Sequence, residues 1–306
     1  MSAANPRKTE TATKEPRRGD RKRMSEIFSY LKKAEVQRRK EISETTVEPV
    51  LDVSPQIETP DVKAREDARF DLAAADQRIK SVLDPLTVVG EQYRLLRAKL
   101  SLLQRDQGIK SLLVTSSLPD EGKTFTACCL AGVFAQEPGR RVLLIDGDLR
   151  KPKAGRSLGM VGSLHSPGLA QVLRGEAVAQ DTLLSSGALD FFLLPAGAVP
   201  PDPAELLSSP LLEQTIKSMR DYFDWVVIDS PPVLALADAT LMAPLCDAIL
   251  LIVRTDRTAT KYIKEAINRL GPEKMCGVVL NRGRHLQTTK YYYRYYHQDL
   301  RSRRKG

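Results

Sequence analysis

Six short apolar runs rich in β-branched residues recur along the middle of the chain, at 111–115, 141–145, 190–194, 224–228, 248–253 and 277–280. None alternates apolar and polar positions as a strand with one wet face would, so each predicts a strand buried on both sides. Between them, apolar residues at helical spacing predict helices at about 122–136, 203–222 and 258–270, the last stopped by Gly271 and Pro272. Strands that alternate with helices build a mostly parallel sheet with helices on both faces. The expected fold class is α/β.

Upstream of the first strand this pattern dissolves. Residues 1–22 are Lys, Arg, Pro and Thr with almost nothing apolar, which predicts a disordered arm, because such a segment cannot bury enough surface to order itself. Met24, Ile27, Phe28, Leu31 and Ala34 then fall at helical spacing among Lys32, Lys33, Arg38 and Arg39. They predict a short basic amphipathic helix that needs a partner surface, lipid or protein. Pro49, Pro55, Pro60 and Pro85 mark 41–85 as linker. The expected organisation is an arm, helix and linker over 1–85, a folded domain over 86–283 and a tail over 284–306.

Charge sharpens that division. The net +9 is uneven: residues 1–40 carry +8, residues 281–306 carry +7, and the body between them carries −6. Basic arms can meet nucleic acid, anionic lipid or an acidic partner, or simply remain solvated. A nucleic-acid role is not expected, because the body is acidic and no helix-turn-helix, zinc-finger or aromatic RNA-binding signature occurs. The most apolar stretch, 241–253, is interrupted by Pro244 and Asp247, so no transmembrane helix is expected. The N-terminus lacks the apolar segment of a secretory signal, so the chain is expected in the cytoplasm. Cys128, Cys129, Cys246 and Cys276 lack metal-ligand spacing and read as reduced core residues.

The chemistry begins where the first run ends. Ser116-Ser117-Leu118-Pro119-Asp120-Glu121-Gly122-Lys123-Thr124 separates a strand from a helix, the setting of a phosphate-binding Walker A loop. There, backbone N–H groups at the helix start point at phosphate, Lys123 adds positive charge, and the Thr124 hydroxyl can ligate Mg2+. Ser117 stands where the usual pattern has its first Gly. Asp146 and Asp148 follow the second run and Asp229 follows the fourth. Each alone could cap a helix. Three carboxylates at two strand ends beside a phosphate loop instead suit Mg2+-assisted phosphoryl transfer, in which charge neutralisation and alignment of the acceptor dominate.

These segments, together with 194–197, 200–207, 228–232 and 277–281, resemble the bacterial tyrosine kinases of capsule and exopolysaccharide systems, over about 83–282. The resemblance implies a P-loop NTPase architecture of the MinD/ParA-like kind, ATP and Mg2+ as cofactors, and a protein-tyrosine autokinase acting in trans on its own C-terminal tyrosines. It implies nucleotide contacts from Ser117, Pro119, Asp120, Glu121, Gly122, Lys123, Thr124 and Phe125. Thr124, Asp148 and Asp229 become the metal-holding residues, and Asp146 the candidate base. Asn281 resembles an adenine-contacting Asn, although an Asn capping a turn is an equal alternative. Glu91, Arg94 and Arg97 match a Glu-x-x-Arg-x-x-Arg helix used in assembling a homo-oligomeric ring such as an octamer. The partners implied are other copies of the chain and a membrane-embedded polysaccharide co-polymerase adaptor, with peripheral membrane contact through the basic arms and recruitment to the inner face of the cell membrane.

Tyr291, Tyr292, Tyr293, Tyr295 and Tyr296 match the family's phosphoacceptor cluster; five of the nine tyrosines fall within six residues. Their full phosphorylation adds about −7 to −10 charges, enough to cancel or invert the tail's +7. A basic-aromatic tail that binds membrane or RNA is the competing interpretation. Two other functions compete for the domain. A partner-activated positioning ATPase of the chromosome-partitioning type would carry a signature Lys where this chain has Leu118. A nucleotide-binding scaffold without catalysis is suggested by Asp120, which stands where the kinases usually have Gly and brings a carboxylate into a phosphate loop.

Overall fold

The computed structural model describes Ser29 and residues 69–160, 167–255 and 257–283. The expected disordered arm, nearly all of the helix near Phe28 and the five clustered tyrosines lie outside these residues. Strands β1 (Ser111–Ser116), β2 (Val142–Asp146), β3 (Leu184–Ser185), β4 (Phe191–Leu194), β5 (Trp225–Asp229), β6 (Ala248–Arg254) and β7 (Met275–Asn281) form one sheet in the order β3-β4-β2-β5-β1-β6-β7. All neighbours pair in parallel except β3 with β4.

The helices are α1 (Gln77–Leu83), α2 (Val88–Gln107), α3 (Lys123–Ala135), α4 (Ala154–Ser157), α5 (Leu169–Leu173), α6 (Pro203–Leu207), α7 (Pro210–Tyr222), α8 (Asp238–Met242) and α9 (Thr260–Leu270). Helix α3 lies against β1, β2 and β5 and is covered in turn by α1 and α2. Every residue from Thr126 to Ala135 is therefore buried, which is why its sequence has no polar face. On this side Val114, Leu144, Phe191, Trp225, Val227 and Leu250 reach one core cluster with α3. The alternating residues, among them Leu113, Leu143, Ile145, Ile228 and Leu251, are equally buried on the other face, where α7 meets β5 and α9 meets β6. Helices on both faces account for the continuous apolar runs.

Two boundaries differ from expectation. Residues 69–85 are part of the folded layer and not linker: Phe70 packs edge-on to Phe191 at 5.1 Å between ring centroids, and Ile79 and Val82 are fully buried over α3. Their charged neighbours mask a helix of only 7 residues in the sequence. The helix expected over 203–222 is two helices, because Pro210 has no N–H for an intrahelical bond and Ser209, in extended conformation, caps α7 by accepting from the Leu211 N–H.

Candidate active site

Strand order creates the site. With β2, β5 and β1 adjacent, the ends carrying Asp146 and Asp229 and the loop after β1 emerge side by side, and Asp146 and Asp229 are register partners. Just past this pair the chain leaves β2 close against β5, where residue 147 is glycine. The Gly147 N–H donates to the Asp229 carbonyl at 2.9 Å, and a Cβ on Gly147 would sit 2.6 Å from that same oxygen. Although the sequence shows Gly147, nothing local in it reveals a contact made 82 positions away, between Gly147 and Asp229.

The loop from Ser117 to Gly122 turns into α3 through two residues of positive φ, Asp120 at 62° and Gly122 at 95°. At Gly122 the φ of 95° favours glycine, and a Cβ there would also displace the Asn281 side-chain amide. Asp120 is exposed, and Asp tolerates this left-handed conformation better than most side chains. Its carboxylate is thus on the solvent side of the loop. Asn281 holds the loop by donating to the Glu121 carbonyl at 2.8 Å, while its own backbone oxygen accepts from the Thr255 N–H at 3.1 Å. Ser117 is buried with a hydroxyl that has no partner.

The side chains expected to do chemistry meet at this point. Lys123 Nζ donates to Asp148 Oδ2 at 2.9 Å and lies 3.3 Å from Thr124 Oγ1. Burial works against the Lys123 ammonium, but the charges of Asp229, Asp148 and Asp146 outweigh it and keep its affinity for a proton above the ordinary value. Asp146 Oδ2 accepts from the Ala154 N–H at 2.9 Å. Asp146 Oδ1 and both oxygens of Asp229 are buried and meet no donor in full hydrogen-bond geometry, although the Thr124 hydroxyl and the Ser230 N–H face the Asp229 carboxylate and favour its charged form. Burial, followed by the charge of Asp229, pushes the Asp146 carboxyl well above the usual carboxylate range; burial likewise raises Asp229, with Lys123 opposing.

Buried carboxylate oxygens without donors mark a place where a cation completes the charge balance. Among the described residues no three His, Cys, Asp or Glu side chains converge into a direct metal cage.

Some expected site residues are occupied elsewhere. Phe125 packs edge-on to Tyr93 at 6.4 Å, with the Arg78 guanidinium 5.5 Å from its ring centre, so its ring faces α1 and α2. Arg94 donates to the Pro85 carbonyl and pairs with Glu91 at 2.9 Å. Arg97 donates to the Val133 carbonyl and pairs with Glu137 at 3.0 Å. Both arginines therefore fasten α2 within its own subunit, and of the three only Glu91 is exposed. Two ties were not legible in the sequence. One joins Glu121 to Thr258 across 137 positions; the other is the paired hydrogen bonds of Arg150 to fully buried Asp238 at 2.9 and 3.1 Å.

A model of the AAA domain matches residues 120–272, half of the chain. The tyrosine-protein kinase YwqD of Bacillus subtilis (strain 168) is 33% identical over 207 residues, covering 67% of this chain and 86% of that protein. Among solved structures, the chimerical protein CapA2B2 superposes with a TM-score of 0.62 at 27% identity, covering 71% of this chain and 96% of that one. The kinase domain of the Escherichia coli tyrosine kinase ETK gives 0.58 at 30% identity, covering 64% of this chain and 78% of that one.

Proposed function

Given that the chain belongs to the bacterial tyrosine-protein kinases, we propose that it is an ATP- and Mg2+-dependent autokinase that phosphorylates Tyr291, Tyr292, Tyr293, Tyr295 and Tyr296 of a neighbouring copy. The observation that supports this most is the cluster of Lys123, Asp146, Asp148 and Asp229 at two adjacent strand ends, with three buried carboxylate oxygens awaiting positive charge. Lys123 neutralises the β- and γ-phosphate oxygens and gives up its ion pair with Asp148 to do so. Thr124, Asp148 and Asp229 are the residues that would hold Mg2+, which would supply further charge neutralisation at the phosphates. Backbone N–H groups at the start of α3 cradle the phosphates.

Asp146 serves as the base. Its Oδ2 is engaged by the Ala154 N–H, which leaves Oδ1 to take the proton of the acceptor hydroxyl. Burial and the neighbouring charge of Asp229 raise the proton affinity of Asp146 above that of an ordinary carboxyl, the direction that favours a general base. The acceptor segment is cationic and the body that receives it is acidic, so approach of a neighbour's tail is electrostatically favoured. A membrane adaptor of polysaccharide synthesis and export, contact of the basic arms with anionic lipid, placement at the inner face of the membrane, and a ring assembled through the exposed side of α2 complete the proposal. Among the described residues no helix is long and apolar enough to cross a membrane.

The test is phosphotyrosine formation with Mg-ATP and the adaptor's cytoplasmic segment. Lys123→Met is expected to lower it at least about a hundredfold. ATP turnover that proceeds without any phosphotyrosine would favour a positioning ATPase, and nucleotide binding with neither would favour a scaffold.

A further inference from the structure

Glu121 presents a physical problem: a carboxylate sits inside a loop built to receive phosphate, one residue before Gly122 and two before Lys123. Like charges a few ångströms apart in a partly buried site repel strongly. The structure resolves this by turning the side chain away and holding it there. Glu121 is 2% exposed. Its Oε2 accepts from the Leu118 N–H at 2.9 Å, closing the loop on itself. Its Oε1 accepts from the Thr258 hydroxyl and, at 3.4 Å, from the Arg254 N–H. Both oxygens are thus committed to the loop's own turn and to the segment between β6 and α9.

Resting on the ATP-binding role proposed above, we infer that the Thr258 hydroxyl is a positioning group for nucleotide: it restrains the Glu121 carboxylate away from the phosphates, and so sets ATP affinity without touching ATP. Without the hydroxyl, Oε1 keeps only the long bond to Arg254 and the side chain gains rotamers that bring its charge toward the phosphate oxygens. Neither residue has a local sequence signal for this pairing, since 137 positions separate them.

The role has a signature that plain loss of packing lacks. Thr258→Val is nearly isosteric, and it is expected to weaken binding of a fluorescent ATP analogue in the full chain about tenfold, roughly the effect of bringing one charge a few ångströms closer at an effective dielectric near 20. The loss should appear in KM for ATP, with kcat at saturating ATP changed by less than about twofold. Thr258→Ser retains the hydroxyl and should bind within about twofold of wild type. The decisive variant combines Thr258→Val with Glu121→Gln: once the charge is removed, most of the lost affinity should return. Thr258→Val that binds like wild type, or a double variant no tighter than Thr258→Val, overturns the inference. A wild-type chain that does not bind the analogue, or one whose binding is indifferent to Lys123→Met, would instead overturn the ATP-binding role on which it rests.

Discussion

At Gly147 one absent methyl group decides how near two strand ends can come. A Cβ there would lie 2.6 Å from the Asp229 carbonyl and 3.1 Å from Met242 Sδ, and the carbonyl is backbone that cannot turn aside. Gly147→Ala should therefore separate Asp146 and Asp148 from Asp229. The expected cost is about 2 kcal/mol of stability, as for other overpacked core sites, visible as a lower Tm. A loss of at least about tenfold in kcat should accompany it, because displacements near 1 Å at a reacting centre are expensive. An unchanged kcat in a folded Gly147→Ala variant would show that the spacing of these carboxylates is immaterial. Asp146, Asp148 and Asp229 stood out in the sequence because they follow apolar runs that could only be buried strands, and Lys123 and Thr124 because they open a helix after a phosphate-loop pattern. The roles of Gly147 and Thr258 were not legible there, and Glu121 was expected only as a nucleotide contact, because what makes each of them matter is a partner more than 80 positions away. Asp120 was a third case: its departure from Gly was visible, but only the positive φ and solvent exposure show how the loop accommodates it.

At the scale of elements, long buried strands and the amphipathic α9 were legible because packing on two faces or one imposes an unmistakable pattern. Helix α1 was not. Its 7 residues contribute only Ile79 and Val82 to the core, too few to stand out among Asp76, Arg78 and Lys80, and it follows a proline-marked stretch. Asp76 sets where it starts. The carboxylate accepts from the Arg78 N–H at 2.9 Å and from the Arg78 guanidinium at 2.6 Å, which depresses it from 3.8 to about 2. A group depressed by folding stabilises the native state above its unfolded value, and that contribution fades as pH falls through the folded one. Asp76→Ala should cost about 1 kcal/mol near neutral pH, the usual worth of an N-cap. The difference from wild type should narrow as pH falls from 3.8 toward about 2. A gap in denaturation midpoints that stays constant over that range would remove the carboxylate from the account of α1. The single helix expected over 203–222 failed for a complementary reason: Pro210 was visible, but a proline is as compatible with a helix's first turn as with its end.

At the scale of the molecule, the strand order brings the phosphate loop beside both carboxylate-bearing strand ends, and the charge map places an acidic body between two basic arms. A substrate of opposite sign to the site is drawn in by its net charge before any side chain is recognised, and the Tyr-rich end of a second copy, the substrate proposed above, carries that opposite charge. The most direct test mixes two complementary chains in the presence of Mg-ATP and the adaptor segment: one isotopically heavy with Lys123→Met and intact tyrosines, the other light, with an intact site and Phe at 291, 292, 293, 295 and 296. Mass spectrometry of the heavy chain should find phosphate on tyrosines between 291 and 296. A heavy chain left unmodified beside a light chain that still turns over ATP would contradict transfer between neighbours.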